Sequence, residues 1–429
     1  MHFRAEPAVG QQMTAAKVVI LGAGQAGAQV TFSLRQGGFP GEIHMIGEEP
    51  EPPYQRPPLS KAVLFGTISA ERLRLRPEAW YASNNVHLHL ARKAVKIDRR
   101  SRIVELDDGS EISFERLVIA TGARPRTLPV PGSELRGVFN LRSLCDVARL
   151  KPFLVPSARV VIVGAGYIGL ETAAALRVMG LEVLVIEQAD RALARVTSPL
   201  ISEFFAQEHR RHGVEIRTRT QLHEIVGRDS RVAAVRMANG DEVPADIVIG
   251  GIGIVPNGQL AADAGLDFDG GIVVDENART GDPQIFACGD CTRRPIVRYA
   301  RSGRLESVHN AIEQGKQAAA AILGSPRPVD ECPWFWSDQY DLKLQIAGLS
   351  EGHDEVILRG NPADRKFAAF YFGAGRLLAV DAVNAPPEFV VAKRWIEAGT
   401  TVARELVADT SMSMKQIAEQ AGNEEQCVA

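Results

Sequence analysis

Cys288 and Cys291 stand in C-x-x-C spacing within IFACGDCT, residues 285–292. That spacing suits a redox disulfide. Gly289-Asp290 between them also suits a turn that holds a nucleotide cofactor, so both chemistries are open at this stretch. Two glycine patterns elsewhere are more explicit. Gly22-Ala-Gly24-Gln25-Ala26-Gly27 and Gly164-Ala-Gly166-Tyr167-Ile168-Gly169 each read G-x-G-x-x-G, and each is followed by an acid, Glu48 or Glu187. In such a turn the first glycine makes the bend from strand to helix. The second lets the backbone approach a pyrophosphate resting on the helix N-terminus, and the third lets the helix pack on the strand. The acid accepts hydrogen bonds from a ribose.

The elements that must position these turns are written twice. KVVILGAGQAGAQVTFSLRQGGFPGEIHMIGE (17–48) lies over RVVIVGAGYIGLETAAALRVMGLEVLVIE (159–187). Each copy opens with a β-branched apolar run, the pattern of a buried parallel strand, and continues as glycine turn, apolar-periodic helix and second strand. Leu117-Val118-Ile119 and the ADIVIGGIGIVPN stretch (245–257) read as crossover strands. Two dinucleotide sites in one chain imply electron passage between a bound flavin and a diffusing nicotinamide. Glu187 would repel a 2′-phosphate, which favours NADH over NADPH; Arg191 close by works against that preference.

Composition bounds the rest. The 429 residues are 45% apolar and 24% charged, enough for a full core, and length alone suggests roughly two to four domains. A net charge of −3 gives no global attraction to nucleic acid or to an anionic membrane, and no apolar run approaches a membrane span. The opening MHFRAEPAVGQQMTAAK lacks an apolar core and reads as a loose tail rather than a signal peptide. Five scattered cysteines make no disulfide framework, and a reducing cytoplasm is the expected compartment. No metal-ligating set is assigned.

In their order along the chain, the motifs resemble one family. They are the two glycine turns, YQRPPLSK (54–61), ATGARP (120–125), GIGIVPN (251–257), IFACGD (285–290), RLESVHNAIEQGKQAA (304–319) and PWFWSDQ (333–339). The chain resembles the two-dinucleotide-binding flavoproteins, and within them the NADH-dependent, oxygenase-coupled ferredoxin reductases. The resemblance implies an α/β fold like that of glutathione reductase. Two Rossmann-like three-layer domains would be joined by a C-terminal α+β domain. The FAD domain would be discontinuous, 1–127 with 256–328, the NAD domain would take 128–255, and the C-terminal domain, 329–429, would cover the flavin. Apolar segments at 342–349, 355–358, 366–372 and 376–383, with a Gly373-Ala-Gly375 turn and a helix bearing Phe389, Val390, Trp395 and Ile396, suit a small antiparallel sheet with a covering helix.

The resemblance also implies roles. Lys61 would lie beside the flavin ring with Arg56 in the same loop, Glu171 would pair with Lys61 near the nicotinamide, and Trp336 would lie by the flavin on the route to the iron–sulfur partner. These three, Lys61, Glu171 and Trp336, are the expected reacting-end residues. FAD would further be held by Gly22, Gly24, Gln25, Ala26, Gly27, Glu48, Thr121, Gly122, Arg124, Gly289, Asp290, Ser307 and Val308. NAD would be held by Gly164, Gly166, Tyr167, Ile168, Gly169, Glu171, Glu187 and Gly253, with Tyr167 shielding the flavin or else packing on the sheet. The partner would be a [2Fe–2S] ferredoxin, an acidic one if Arg293, Arg294, Arg298, Arg301 and Arg304 form a basic rim, and through it a cytochrome P450 or Rieske oxygenase. Two other readings stay open: a disulfide reductase using Cys288 and Cys291, and a flavoprotein switch like apoptosis-inducing factor. No cysteine precedes Cys145, and only Cys145 lies within 128–255, which speaks against the disulfide reductases.

Overall fold

β-Branched residues favour the pleated backbone, and a strand covered on both faces is apolar at every position rather than at alternate ones. Both repeats obey this rule. In a computed structural model that describes residues 16–428, with side chains through Ala421, the first repeat forms strand β1 (Lys17–Leu21), helix α1 (Gln25–Gln36) and strand β2 (Glu42–Gly47). The second forms β3 (Arg159–Val163), α2 (Tyr167–Val178) and β4 (Glu182–Ile186). Val18, Val19 and Ile20 are fully buried, and Val160, Val161 and Ile162 nearly so. The expected N-terminal tail falls mostly on residues 1–15, outside the described residues.

Contacts divide the chain into two units. The first takes the described residues through Tyr54, Arg74–Gly122 and Pro256–Pro328; the second takes Gln55–Leu73, Ala123–Val255 and the chain from Val329 onward. The first unit is built on a five-stranded parallel sheet in the order Ile285–Ala287, Arg116–Ile119, β1, β2, Val86–Leu90. Its second long helix, Val308–Leu323, starts at Ser307, whose hydroxyl accepts from Asn310 N–H, and stops at left-handed Gly324. Such caps satisfy backbone groups the helix itself leaves unpaired. This helix packs closely on α1, because a Cβ at Gly315 would come within 2.8 Å of Gln29.

The second unit carries the matching parallel sheet: Val138–Asn140, Ile247–Gly250, β3, β4, Glu215–Arg217. Helix α3 (Pro199–Arg211) leads to its last strand. The crossover strands expected from LVIA and DIVIG thus become central strands, each beside the first strand of its repeat. The same unit contains a five-stranded antiparallel sheet ordered β5 (Trp334–Gln339), Leu342–Gly348, Arg376–Val383, Lys366–Gly373, Glu355–Asn361. Ala374 and Gly375 both take positive φ in the hairpin turn, as the Gly-Ala-Gly sequence suggests. Helix Pro386–Ala398 covers this sheet with Phe389, Trp395 and Ile396 buried. Val390 departs from expectation: it is 43% exposed, one residue off the buried stripe.

In this sheet Asp381 is buried among apolar strands; Tyr371 donates to it at 2.6 Å, and the Thr197 hydroxyl also donates to it. Burial pushes its carboxyl up to about 6 despite those hydrogen bonds. A raised carboxyl contributes stability below the unfolded value near ~3.9 and loses it as pH rises through the folded value. Relative to the parent, Asp381→Asn should therefore gain unfolding free energy between pH 4 and pH 7, by at most about 3 kcal/mol. Denaturant titrations at the two pH values measure this, and a constant difference would contradict it.

Candidate functional site

The glycine turns show how three identical residues do three jobs. A Cβ at Gly22 would stand 2.2 Å from the Ala120 carbonyl oxygen, and one at Gly164 2.5 Å from that of Gly251. A Cβ at Gly27 or Gly169 would stand 2.1 Å from the carbonyl oxygen of Gly22 or Gly164. The first and third glycines are therefore required by the packing of backbone on backbone. The second glycines, Gly24 and Gly166, have nothing within 4 Å of that position. Each faces open space at the start of a helix of twelve residues, where free N–H groups point outward. That space fits a pyrophosphate, and Gln25, Ala26, Tyr167 and Ile168 belong to the first turns that border it.

The two acids are not equivalent. Gly22 N–H donates to Ile46 and Gly164 N–H to Ile186, each at 2.8 Å, so Glu187 matches Gly47 and Glu48 lies one residue further on. Glu187 is held by the N–H groups of Ala165 (2.7 Å) and Ala189 (2.8 Å). Its carboxylate is thus fixed against the glycine turn. Arg191 donates to the carbonyls of Ala194 and Thr197, both at 2.9 Å. It is committed to its own loop, which removes the main objection to a preference for NADH. Glu48 is largely exposed, 3.7 Å from Lys93.

Around the opening stretch of interest, Cys288 and Cys291 are free, with no exposed surface. Burial pushes the Cys291 thiol up to about 11 and that of Cys288 well above its usual value. Thiols held protonated and away from solvent are poor nucleophiles. The turn itself is pinned by a residue the motifs did not single out. Gln314 Oε1 accepts from Gly289 N–H (2.9 Å), the Thr292 hydroxyl (2.9 Å) and Asn310 (3.1 Å). Asp290 is half-buried at this turn, and Val308 is the first residue of its helix. The Thr121 hydroxyl donates to the Asn257 carbonyl at 2.6 Å, and Asn257 N–H donates to Gly122 at 2.9 Å. Thr121 therefore holds backbone with its hydroxyl. Three of the five arginines of the expected rim stand in ion pairs. Arg294 is buried against Glu313 at 2.9 Å, Arg293 pairs with Asp269 at 3.2 Å, and Arg304 with Glu306 at 2.7 Å.

The second unit brings Lys61 and Glu171 together. Lys61 Nζ lies 3.1 Å from Glu171 and 3.4 Å from Asp338. Glu171 is 4% exposed, and its carboxyl is raised by that burial, with Lys61, Ser337 and Ser60 opposing the rise. Ser60 donates to one oxygen at 3.0 Å and Ser337 to the other at 2.8 Å. Neither serine was assigned from sequence. Arg56 donates to the Arg142 carbonyl at 2.7 Å, and Arg124 is exposed. Gly253 takes positive φ and accepts from Arg126 N–H. The Tyr167 ring lies tilted 4.9 Å from that of Phe335, its hydroxyl buried without a partner. Trp334 packs 6.2 Å from Phe389 of the covering helix, whereas Trp336 lies 5.5 Å from Trp334 on the same strand.

A family model described as pyridine nucleotide-disulphide oxidoreductase matches residues 16–315, and one described as reductase C-terminal matches 334–418. The chain belongs to this oxidoreductase family. It is 46% identical to the probable ferredoxin reductase CtmF of Castellaniella defragrans, over 94% of this chain and 98% of that protein. It is 43% identical to putidaredoxin reductase CamA of Pseudomonas putida, over 93% and 96%. The solved covalent putidaredoxin reductase–putidaredoxin complex superimposes with a TM-score of 0.93 at 42% identity, covering 95% of this chain and 99% of that one. With respect to that family's name, the buried thiols carry a consequence. In the native protein Cys145, which is exposed, should react with a thiol reagent, whereas Cys288 and Cys291 should react only on unfolding. Mass mapping of labelled peptides measures this, and native labelling of Cys291 would overturn it.

Proposed function

We propose that this chain is an NADH:ferredoxin oxidoreductase that serves a cytochrome P450 or Rieske oxygenase. It takes a hydride from NADH and passes single electrons to a [2Fe–2S] ferredoxin. Bound FAD supplies the conversion of one two-electron donor into two one-electron transfers. The observation that carries the reading is the pair of glycine turns with open second positions, joined in one chain to the ion pair of Lys61 with buried Glu171. Ferredoxin reductases alike over nearly the whole chain support it.

The residue roles follow as proposals. Gly22, Gly24 and Gly27 cradle the FAD pyrophosphate, and Gln25 and Ala26 offer the first free N–H groups of α1. Asp290, on the turn pinned by Gln314, accepts from the ribityl chain, and the helix start at Val308 faces the flavin's anionic edge. Gly164, Gly166 and Gly169 cradle NADH, and Glu187 accepts from its ribose. Lys61 and Glu171 face the reacting rings, the lysine favouring negative charge on the flavin. No general base is required, because hydride transfer depends on alignment. The fixed Glu187 and the committed Arg191 favour NADH. Free thiols support a reducing cytoplasm as the compartment.

Steady-state NADH oxidation against a panel of [2Fe–2S] ferredoxins tests this. Cytochrome c should be reduced rapidly only when a ferredoxin is present. A long-lived reduced complex that turns over with none of them would instead favour the flavoprotein switch. A second test isolates the nicotinamide turn. A Cβ at position 166 meets no protein atom, so Gly166→Ala should fold and keep its FAD. It should raise KM for NADH about tenfold, the effect of losing roughly 1.4 kcal/mol of binding. An unchanged KM would remove the pyrophosphate from this turn.

A further inference from the structure

β5 reads Trp-Phe-Trp-Ser-Asp-Gln, and successive side chains of a strand point to opposite faces. Phe335, Ser337 and Gln339 share one face. Phe335 meets Tyr167 of α2, Ser337 meets Glu171 one helical turn later, and Gln339 meets His209 of α3. Ser337 and Gln339 have no exposed surface. Two polar residues on the buried face of a strand are costly unless every hydrogen-bonding group is matched.

The match is a chain whose direction is dictated from one end. Ionised Glu171 can only accept, so the Ser337 hydroxyl donates to it, at 2.8 Å. Ser337 Oγ must then accept, and it does so from Gln339 Nε2 at 3.1 Å. That turns Gln339 Oε1 toward His209 Nε2, 2.8 Å away, which must carry the ring proton. His209 Nδ1 is then an acceptor, and the Tyr340 hydroxyl donates to it at 3.1 Å. Burial lowers the His209 pKa to about 4, so the ring stays neutral, as the chain requires. Tyr340 follows the strand at positive φ, and its ring stacks on His212 at 3.7 Å.

We infer that Ser337, Gln339, His209 and Tyr340 are positioning residues that hold Glu171 ionised and oriented for the nicotinamide. This rests on the role proposed above for Glu171. Four aligned hydrogen bonds polarise one another, so the chain acts on the carboxylate as a unit. Ser60 also donates to Glu171, on its other oxygen. Lys61 divides its charge between Glu171 and Asp338. Across a cleft of about 860 Å³, Glu208 pairs with Arg211 and Arg365, and Arg365 also holds Asp341, so those charges are matched among themselves.

The test is a pH titration of the FAD-loaded enzyme, read by the infrared carbonyl band of protonated Glu171 and by the rate of flavin reduction by NADH. Ser337→Ala should move the Glu171 titration and the acid limb of the rate upward by about one pH unit, the effect of one lost charge-assisted hydrogen bond. Tyr340→Phe, which removes only a hydroxyl at the half-buried end, should move both less and in the same direction. Ser337→Thr, which restores the hydroxyl, should return both toward the parent. Glu171→Gln identifies the band by abolishing it and should slow flavin reduction at all pH values. If Glu171→Gln leaves that rate intact, the role of Glu171 fails, and the inference about its partners fails with it. If Glu171→Gln slows reduction but Ser337→Ala and Tyr340→Phe move neither titration, the positioning chain alone is overturned.

Discussion

In both repeats the helix begins almost at the end of a strand, and its free N–H groups point outward. Everything in both nucleotide repeats follows from that closeness. It leaves no room for a Cβ at Gly22 and Gly27, or at Gly164 and Gly169, since each would stand 2.1 to 2.5 Å from a backbone oxygen. It requires the first strand to be central, so that a neighbour on either side supports the turn. That in turn requires strands apolar on both faces, which is why VVIL and VVIV carry no polar residue. The open position at the second glycine is what the tight packing of the other two provides.

A buried carboxylate makes the second demand. Glu171 sits on α2 four residues after Tyr167, on the face that β5 covers. Desolvation favours its neutral form, and only directed donors keep its charge. Lys61 and Ser60 come from a short proline-bounded segment, and Ser337 from a strand of the antiparallel sheet. The sheet therefore contributes polar partners to the nucleotide repeat within the same unit, beyond the aromatic surface that its tryptophans suggest.

Much of this was legible in the sequence because it is local. A strand, a three-glycine turn and a helix lie within about twenty residues, and their pattern is set by backbone geometry alone. The antiparallel strands and the Gly373–Gly375 hairpin were legible for the same reason. What was hidden depends on residues far apart. His209 and Gln339 meet across 130 positions, and Gln314 reaches Gly289 across 25. The visible hint was Ser337 and Gln339 recurring at strand spacing beside aromatics, a pattern that a surface strand would also show. A one-residue offset separates Glu48 from Glu187, and only strand register reveals it. Arg294 read as part of a basic rim because charge in a sequence carries no sign of burial, yet Glu313 one helix away neutralises it.

The C-x-x-C spacing is the sharpest case of pattern without environment. A redox pair needs at least one thiolate that solvent or substrate can reach. Cys288 lies at the end of the strand Ile285–Ala287, and Cys291 belongs to the apolar cluster formed by Val19, Leu117, Ile119 and Ile285. Both side chains are wholly enclosed, and the turn between them is fixed by Gln314. The spacing is thus a consequence of the Gly289-Asp290 turn, with one small residue closing the strand and another reopening the core.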